Sequence, residues 1–161
     1  MQQTATKTLT MPSTGERSYT FADVMTYLHG INISRDDKKS VGRRLLYEAE
    51  NENKTKALSR LDYLSKLTCD WDGYGALPIS NTVIDNLKKV IRMSRDDDWA
   101  FWMISPATNG TLTLQSKRHT ASLSIGDDEF SYYSCINNTE YWADNVKFAT
   151  QSFLKIMRQI G

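Results

Sequence analysis

Asp70-Trp71-Asp72-Gly73-Tyr74-Gly75 is the segment whose side chains come nearest to a ligand-binding pattern. Two carboxylates at i and i+2 beside glycines look like the first half of a calcium loop. Such a loop needs further oxygen ligands and a glutamate at its twelfth position. Counting Asp70 as first, the twelfth residue is Asn81, so the pattern fails. The structural alternative predicts that Trp71 is mostly buried between two helices. It also predicts at least one of Gly73 and Gly75 at positive φ, and an Asp72 that accepts backbone amides rather than a metal.

Other reactive side chains are sparse. The two histidines are His29 and His119, and the two cysteines are Cys69 and Cys135. None stands in an HExxH, GxSxG, P-loop or GxGxxG pattern. His29 precedes Gly30, where a cation suits the negative end of a helix. His119 follows Lys117-Arg118 in a hairpin turn. Two cysteines are too few for a disulfide scaffold or a paired-cysteine zinc site, and they read as small buried thiols. The expectation is therefore a non-enzymatic chain with no catalytic residues, no cofactor and no metal.

Binding surfaces are the remaining option. Lysine plus arginine is 20 against 19 aspartate plus glutamate, so net charge alone does not hold a polyanion. The charge is uneven, however. Residues 1–60 carry ten basic and seven acidic side chains. Arg35, Lys38, Lys39, Arg43 and Arg44 fall on one predicted helix, 35–50. Following a first helix and Gly30, it is loosely similar to the recognition helix of a helix-turn-helix, which would contact DNA. The aromatic residues concentrate elsewhere. Trp99, Trp102, Tyr132, Tyr133, Tyr141 and Trp142 lie in the C-terminal half, and Tyr74 in the glycine loop. Tryptophan and tyrosine dominate protein interfaces, which marks these seven as candidate partner contacts.

The elements that would position them follow from periodicity. Residues 1–18 are rich in Thr, Ser and Gln and lack an apolar period, so they read as a flexible tail. Thr20 and Ser34 are N-cap residues for two helices, the first carrying Phe21, Val24, Met25 and Leu28, the second Val41, Leu45, Leu46 and Ala49. Asn51–Asn53 interrupts the second. A third helix carries Ala57, Leu58, Leu61, Leu64 and Leu67. Ser80 restarts a fourth, in which Val83, Ile84, Leu87, Val90 and Ile91 repeat at helical spacing. From Trp99 the period changes to two. Four strands are predicted, over 99–105, around Leu112 and Leu114, over 121–125 and over 130–136. A last helix is predicted over 144–160. The fold class is α+β: N-terminal helices, then a roughly four-stranded antiparallel meander covered by the C-terminal helix. The organisation is one domain over 19–161, helical over 19–95 and strand-rich with the final helix over 99–161.

Trp71-Asp72-Gly73-Tyr74-Gly75-Ala76, then Pro78-Ile79-Ser80, resembles an element found in a group of small uncharacterised bacterial and phage-associated proteins. In that group an amphipathic helix and a strand-rich segment with a Pro-x-x-x-Gly turn follow, here Pro106 to Gly110. The likeness covers roughly residues 58–125. It implies cargo of a mobile genetic element and assigns no activity and no catalytic residues. Together these readings predict a protein-binding antagonist, in the class of antitoxins, immunity proteins or phage-type inhibitors. Its partner would be a bacterial or phage protein. The alternative is a DNA-binding regulator using helix 35–50. No run of 18 apolar residues and no signal-peptide stretch stand in the sequence, so no membrane partner and a cytoplasmic location are expected.

Overall fold

The computed structural model describes residues 20–118 and 120–161, leaving aside the side chains of Phe21 and Ala49. The 1–18 tail and His119 thus lie outside the described residues. The chain divides into two compact units, the first ending at Asn51 and the second spanning Glu52–Gly161. The sequence reading drew one domain over 19–161. Each unit has its own apolar cluster, which is why the division falls at Asn51.

The first unit holds α1 (Phe21–Leu28) and α2 (Arg35–Glu50). Thr20 and Asp23 form a reciprocal capping box: the Asp23 amide donates to Thr20 Oγ1, and the Thr20 amide donates to the Asp23 carboxylate. Ser34 Oγ accepts the Asp37 amide at 3.1 Å and starts α2. His29 is the C-cap of α1, as its place before Gly30 suggested. Val24, Leu28 and Leu45 are buried together, with Ile31, Val41 and Leu46 against them.

The second unit begins with α3 (Glu52–Leu64) and α4 (Asn81–Met93), then a 3-10 turn at Asp97–Trp99. A meander follows: β1 (Trp102–Pro106), β2 (Leu112–Ser116), β3 (Thr120–Ile125), β4 (Glu129–Ile136) and β5 (Thr139–Lys147). All neighbours are antiparallel, in the order β1-β2-β3-β4-β5. The chain ends in α5 (Thr150–Ile160). The class is α+β, with five strands where four were expected. Residues 144–147, assigned in sequence to the last helix, belong to β5 instead. Pairing of Phe130 with Val146 and Glu129 with Lys147 holds them extended. The turn before β5 is Asn137-Asn138, both at positive φ (51° and 61°), the backbone that a two-residue primed hairpin requires.

Alternate residues of the sheet face the helices. Ile104, Leu112, Leu114, Leu123, Ile125 and Phe130 are buried there against α4 and α5. Phe130 meets Phe153 of α5 edge-on at 5.1 Å between centroids. Two polar exchanges tie the helix ends. Asp96, beyond α4, accepts the Lys54 amide at 2.9 Å and Asn53 Nδ2 at 2.8 Å, satisfying the start of α3. The buried Lys54 Nζ in turn donates to Ser94 O at 3.0 Å and Arg92 O at 3.4 Å, the carbonyls at the end of α4.

Asp98 makes the corresponding link to α5. Its nearly inaccessible carboxylate accepts Arg158 Nε at 3.1 Å and Nη2 at 2.6 Å, and the Arg95 amide at 2.9 Å. Burial pushes the Asp98 carboxyl up, but the Arg158 hydrogen bonds, the Arg95 amide and both guanidinium charges outweigh it. Its pKa sits below the ordinary 3.8. A carboxyl lowered on folding contributes stability above its unfolded pKa and loses it as the pH falls through the folded value. Asp98→Asn is therefore expected to cost about 1.5–3 kcal/mol at pH 7, the range for hydrogen bonds to charged groups. The gap to wild type should narrow as the pH falls below 3.8 and close only below the folded pKa, where the wild-type carboxyl protonates. Thermal melts of both proteins at pH 7 and pH 3 check this; a gap independent of pH would contradict it.

The Asp70–Gly75 loop is built by its own backbone. Asp72 Oδ1 accepts the amides of Tyr74 at 2.8 Å and Ala76 at 3.1 Å, and Asp70 Oδ1 accepts that of Gly75 at 2.7 Å. Gly73 and Gly75 both have positive φ, as does Asp70. The aspartates serve the turn as expected, but Trp71 does not. It is only half-buried, whereas Ala76 and Ile79 of the same segment are buried. Its Nε1 donates to Leu77 O at 3.0 Å within the same loop. The cysteines differ too: Cys69 is exposed beside this loop, and Cys135 is half-buried on β4.

Candidate functional site

The β4–β5 hairpin carries three exposed aromatic side chains, Tyr133, Tyr141 and Trp142. Tyr133 and Trp142 stand directly opposite each other in the register and share one face, 37% and 66% exposed. Their face is the one turned away from the helices. It continues across the sheet through Ser122, Gln115 and Met103, each paired with the next. Tyr133 Oη donates to Glu140 Oε1 at 3.1 Å. That hydrogen bond holds the phenol above its ordinary pKa, with smaller contributions from partial desolvation, the Glu140 charge and Cys135. Tyr133 is thereby fixed as a neutral donor beside Trp142.

Tyr141 projects from the other face of the hairpin and is 44% exposed. It pairs with Ser134, a fully buried residue whose hydroxyl has no partner among the described residues. β5 ends the sheet, so one rim of it pairs with no strand of the meander. A bulge between Phe130 and Tyr132, with Asn145 at φ 55°, bends that rim.

The remaining sequence candidates go elsewhere. Trp99 and Trp102, expected as partner contacts, are core residues, 4% and 8% exposed. Trp99 Nε1 donates inward to Ser94 Oγ at 2.6 Å. A small sheet under helices needs large rings as much as an interface does, and the sheet claimed these two. Tyr132 is half-buried against the same core, since its face alternates with that of Tyr133. Tyr74 is 94% exposed, but its loop binds the β1–β2 turn through Leu77 N to Thr108 O. The meander puts that turn and the Asn137-Asn138 turn at opposite ends of the sheet. Tyr74 therefore does not join the hairpin cluster. Glu140, which orients Tyr133, was absent from the sequence candidates; Asn137-Asn138 was the signal that could have revealed its strand.

On α2, Arg35, Lys39 and Arg43 recur every four residues and form one exposed stripe. Lys38 Nζ donates to His29 O at 3.3 Å, and Arg44 lies 3.8 Å from Glu48. Both are thus turned partly toward the unit's own groups.

Comparison with protein-family models, with curated proteins and with solved structures finds no match to this chain. No helix among the described residues is long and apolar enough to cross a membrane.

Proposed function

We propose that this α+β chain is a non-catalytic, cytoplasmic protein-binding antagonist whose contact surface is the β4–β5 hairpin. The observation that carries the reading is the Tyr133–Trp142 pair, two large rings left in solvent on adjacent strands. Rings of this kind, oriented by a hydrogen bond and framed by polar side chains, are what anchors a protein partner. The likeness of residues 71–80 to mobile-element proteins favours a bacterial or phage protein as that partner, in the manner of an antitoxin, immunity protein or inhibitor.

Trp142→Ala is expected to weaken partner binding by at least about 2 kcal/mol, roughly thirtyfold. The change in folding stability should stay within about 0.5 kcal/mol, because the side chain is exposed. Affinity capture from the native host by wild-type and variant chains, each checked by thermal melting, makes the comparison. A partner retained by the variant at wild-type affinity contradicts the reading, as does a large loss of stability.

A second reading is supported by the α2 stripe. Arg35, Lys39 and Arg43 are spaced to follow one duplex backbone, which would make the first unit the DNA contact of a regulator. Such binding falls steeply with salt, about 0.9 in log K per log salt for each phosphate contact.

A further inference from the structure

We propose that a basic groove at the β2–β3 turn end of the second unit binds single-stranded nucleic acid through its phosphates. All of its lining residues belong to the second unit, and Tyr133, Tyr141 and Trp142 are not among them. Two adjoining cavities of about 480 and 280 Å³ share Ala100 and Trp102 as common wall. Six cationic side chains line them: Lys56, Arg60, Arg95, Lys117, Arg118 and Arg158. Two side-chain carboxylates, Asp97 and Asp98, face the same space, as does Gly161. The Asp98 charge is already taken up by Arg158 and Arg95. The opposite end of the sheet has the reverse sign, with Asp127, Asp128 and Glu129 around one lysine, Lys147. A chain of nearly zero net charge thus concentrates its positive potential at one end of this unit.

The guanidinium groups are held in place. Arg60 Nε donates to Ile104 O at 3.1 Å, and its guanidinium lies 5.3 Å from the centre of the Tyr63 ring. The Arg118 guanidinium lies 3.3 Å over the centre of Phe101. Lys56 is tethered to Glu52 at 2.5 Å. Lys117 makes no ion pair among the described residues. Planar forks fixed in this way lose little entropy when they engage phosphate oxygens.

The shape selects the kind of polyanion. The cations rim the two cavities, Lys56 and Arg95 largely in solvent, and a flexible single strand bends to follow them where a stiff duplex does not. An extended acidic peptide would draw affinity from pairing with the free edge of β1. The Ile104 carbonyl on β1 is already engaged by Arg60, and α3 packs against that strand. Recognition is left to the side-chain cations, which matches a repeating phosphate backbone. The exposed Met103 supplies apolar surface for a base beside these cations.

Fluorescence anisotropy of the full chain with labelled U12 and dT12, from 50 to 300 mM salt, tests the proposal. The wild type is expected to bind both at 50 mM. Lys117→Glu with Arg118→Glu is expected to weaken binding at least tenfold. It should also lower the salt slope by about 1.4, from two lost contacts at about 0.7 each. Lys117→Gln, at an exposed turn, should lower the slope by about half as much, and it keeps the test open if charge reversal disturbs Phe101. Lys89→Glu, exposed on α4 and outside both cavities, should leave the affinity within twofold. Absence of wild-type binding at 50 mM salt overturns the proposal, as do groove variants that bind like wild type. So do tighter binding of a 12-base-pair duplex and equal competition by a 12-residue polyglutamate, which would make the groove a site for duplex or for acidic peptide.

Discussion

Trp99→Ala is expected to destabilise the chain by about 3–5 kcal/mol, the range for deleting a core aromatic. Marginal stabilities of about 5–15 kcal/mol leave little margin for such a loss. The ring is 4% exposed and belongs to the same cluster as α4, α5 and the sheet. Its Nε1 donates to Ser94 Oγ at 2.6 Å, and that hydroxyl donates to Ile91 O at 2.7 Å. Truncation therefore opens a cavity and also removes a donor from a buried hydroxyl at the end of α4. Trp99→Phe separates the two effects. It keeps most of the volume and loses the hydrogen bond, so about 1–2 kcal/mol of the total should remain. Urea unfolding of the three proteins supplies the numbers. A Trp99→Ala variant within 1 kcal/mol of wild type would return Trp99 to the surface candidates.

The second large effect is expected at Gly110. Gly110 has φ 83°, which a residue with a Cβ adopts at a cost of about 1–2 kcal/mol. A Cβ there would also stand 2.9 Å from Pro78 O, a backbone atom that cannot swing aside. The contact matters because the β1–β2 turn is fastened to the glycine loop at this point. Ser80 N donates to Gly110 O at 3.0 Å and Leu77 N to Thr108 O at 2.8 Å. Gly110→Ala must therefore shift the turn from the loop or bend both, at an expected total of about 3 kcal/mol or more. Gly73 and Gly75 are the controls. Each has positive φ, 75° and 88°, but open space where the Cβ would go. Alanine at either should cost the backbone contribution alone, about 1–2 kcal/mol. Chemical denaturation of the three single variants decides. Equal losses at all three would mean that the close approach to Pro78 contributes nothing.

Much of this architecture was legible in the chain itself. Thr20 with Asp23 and Ser34 with Asp37 announced two helix starts, because a side-chain oxygen followed three residues later by a free amide is a local arrangement. The apolar spacing of Val83 through Ile91 fixed α4, since one buried stripe needs only the helical period. The role of Asp72 in its loop was equally local. β5 was not legible. As an exposed edge it has no consistently buried face, so its sequence shows no alternation, and only Asn137-Asn138 signalled the turn before it.

Side chains that are distant in sequence could be assigned only after folding. The sequence marked seven aromatic residues as surface candidates. Tertiary packing buried Trp99 and Trp102, half-buried Tyr132, stranded Tyr74 at the other end of the sheet, and left Tyr133 and Trp142 exposed on one face of the hairpin with Tyr141 on the other. Composition cannot make that division, because a ring gains free energy from burial in a core and in an interface alike. The basic groove is the stronger case. Its cations come from positions 56, 60, 95, 117, 118 and 158, and no two of the separated groups share an element. By itself the sequence determined the first four helices, the caps of α1 and α2, the glycine loop and the change to strands, because each depends on residues a few positions apart. The tertiary structure alone decided which rings face solvent and where positive charge accumulates, because both depend on which element covers which.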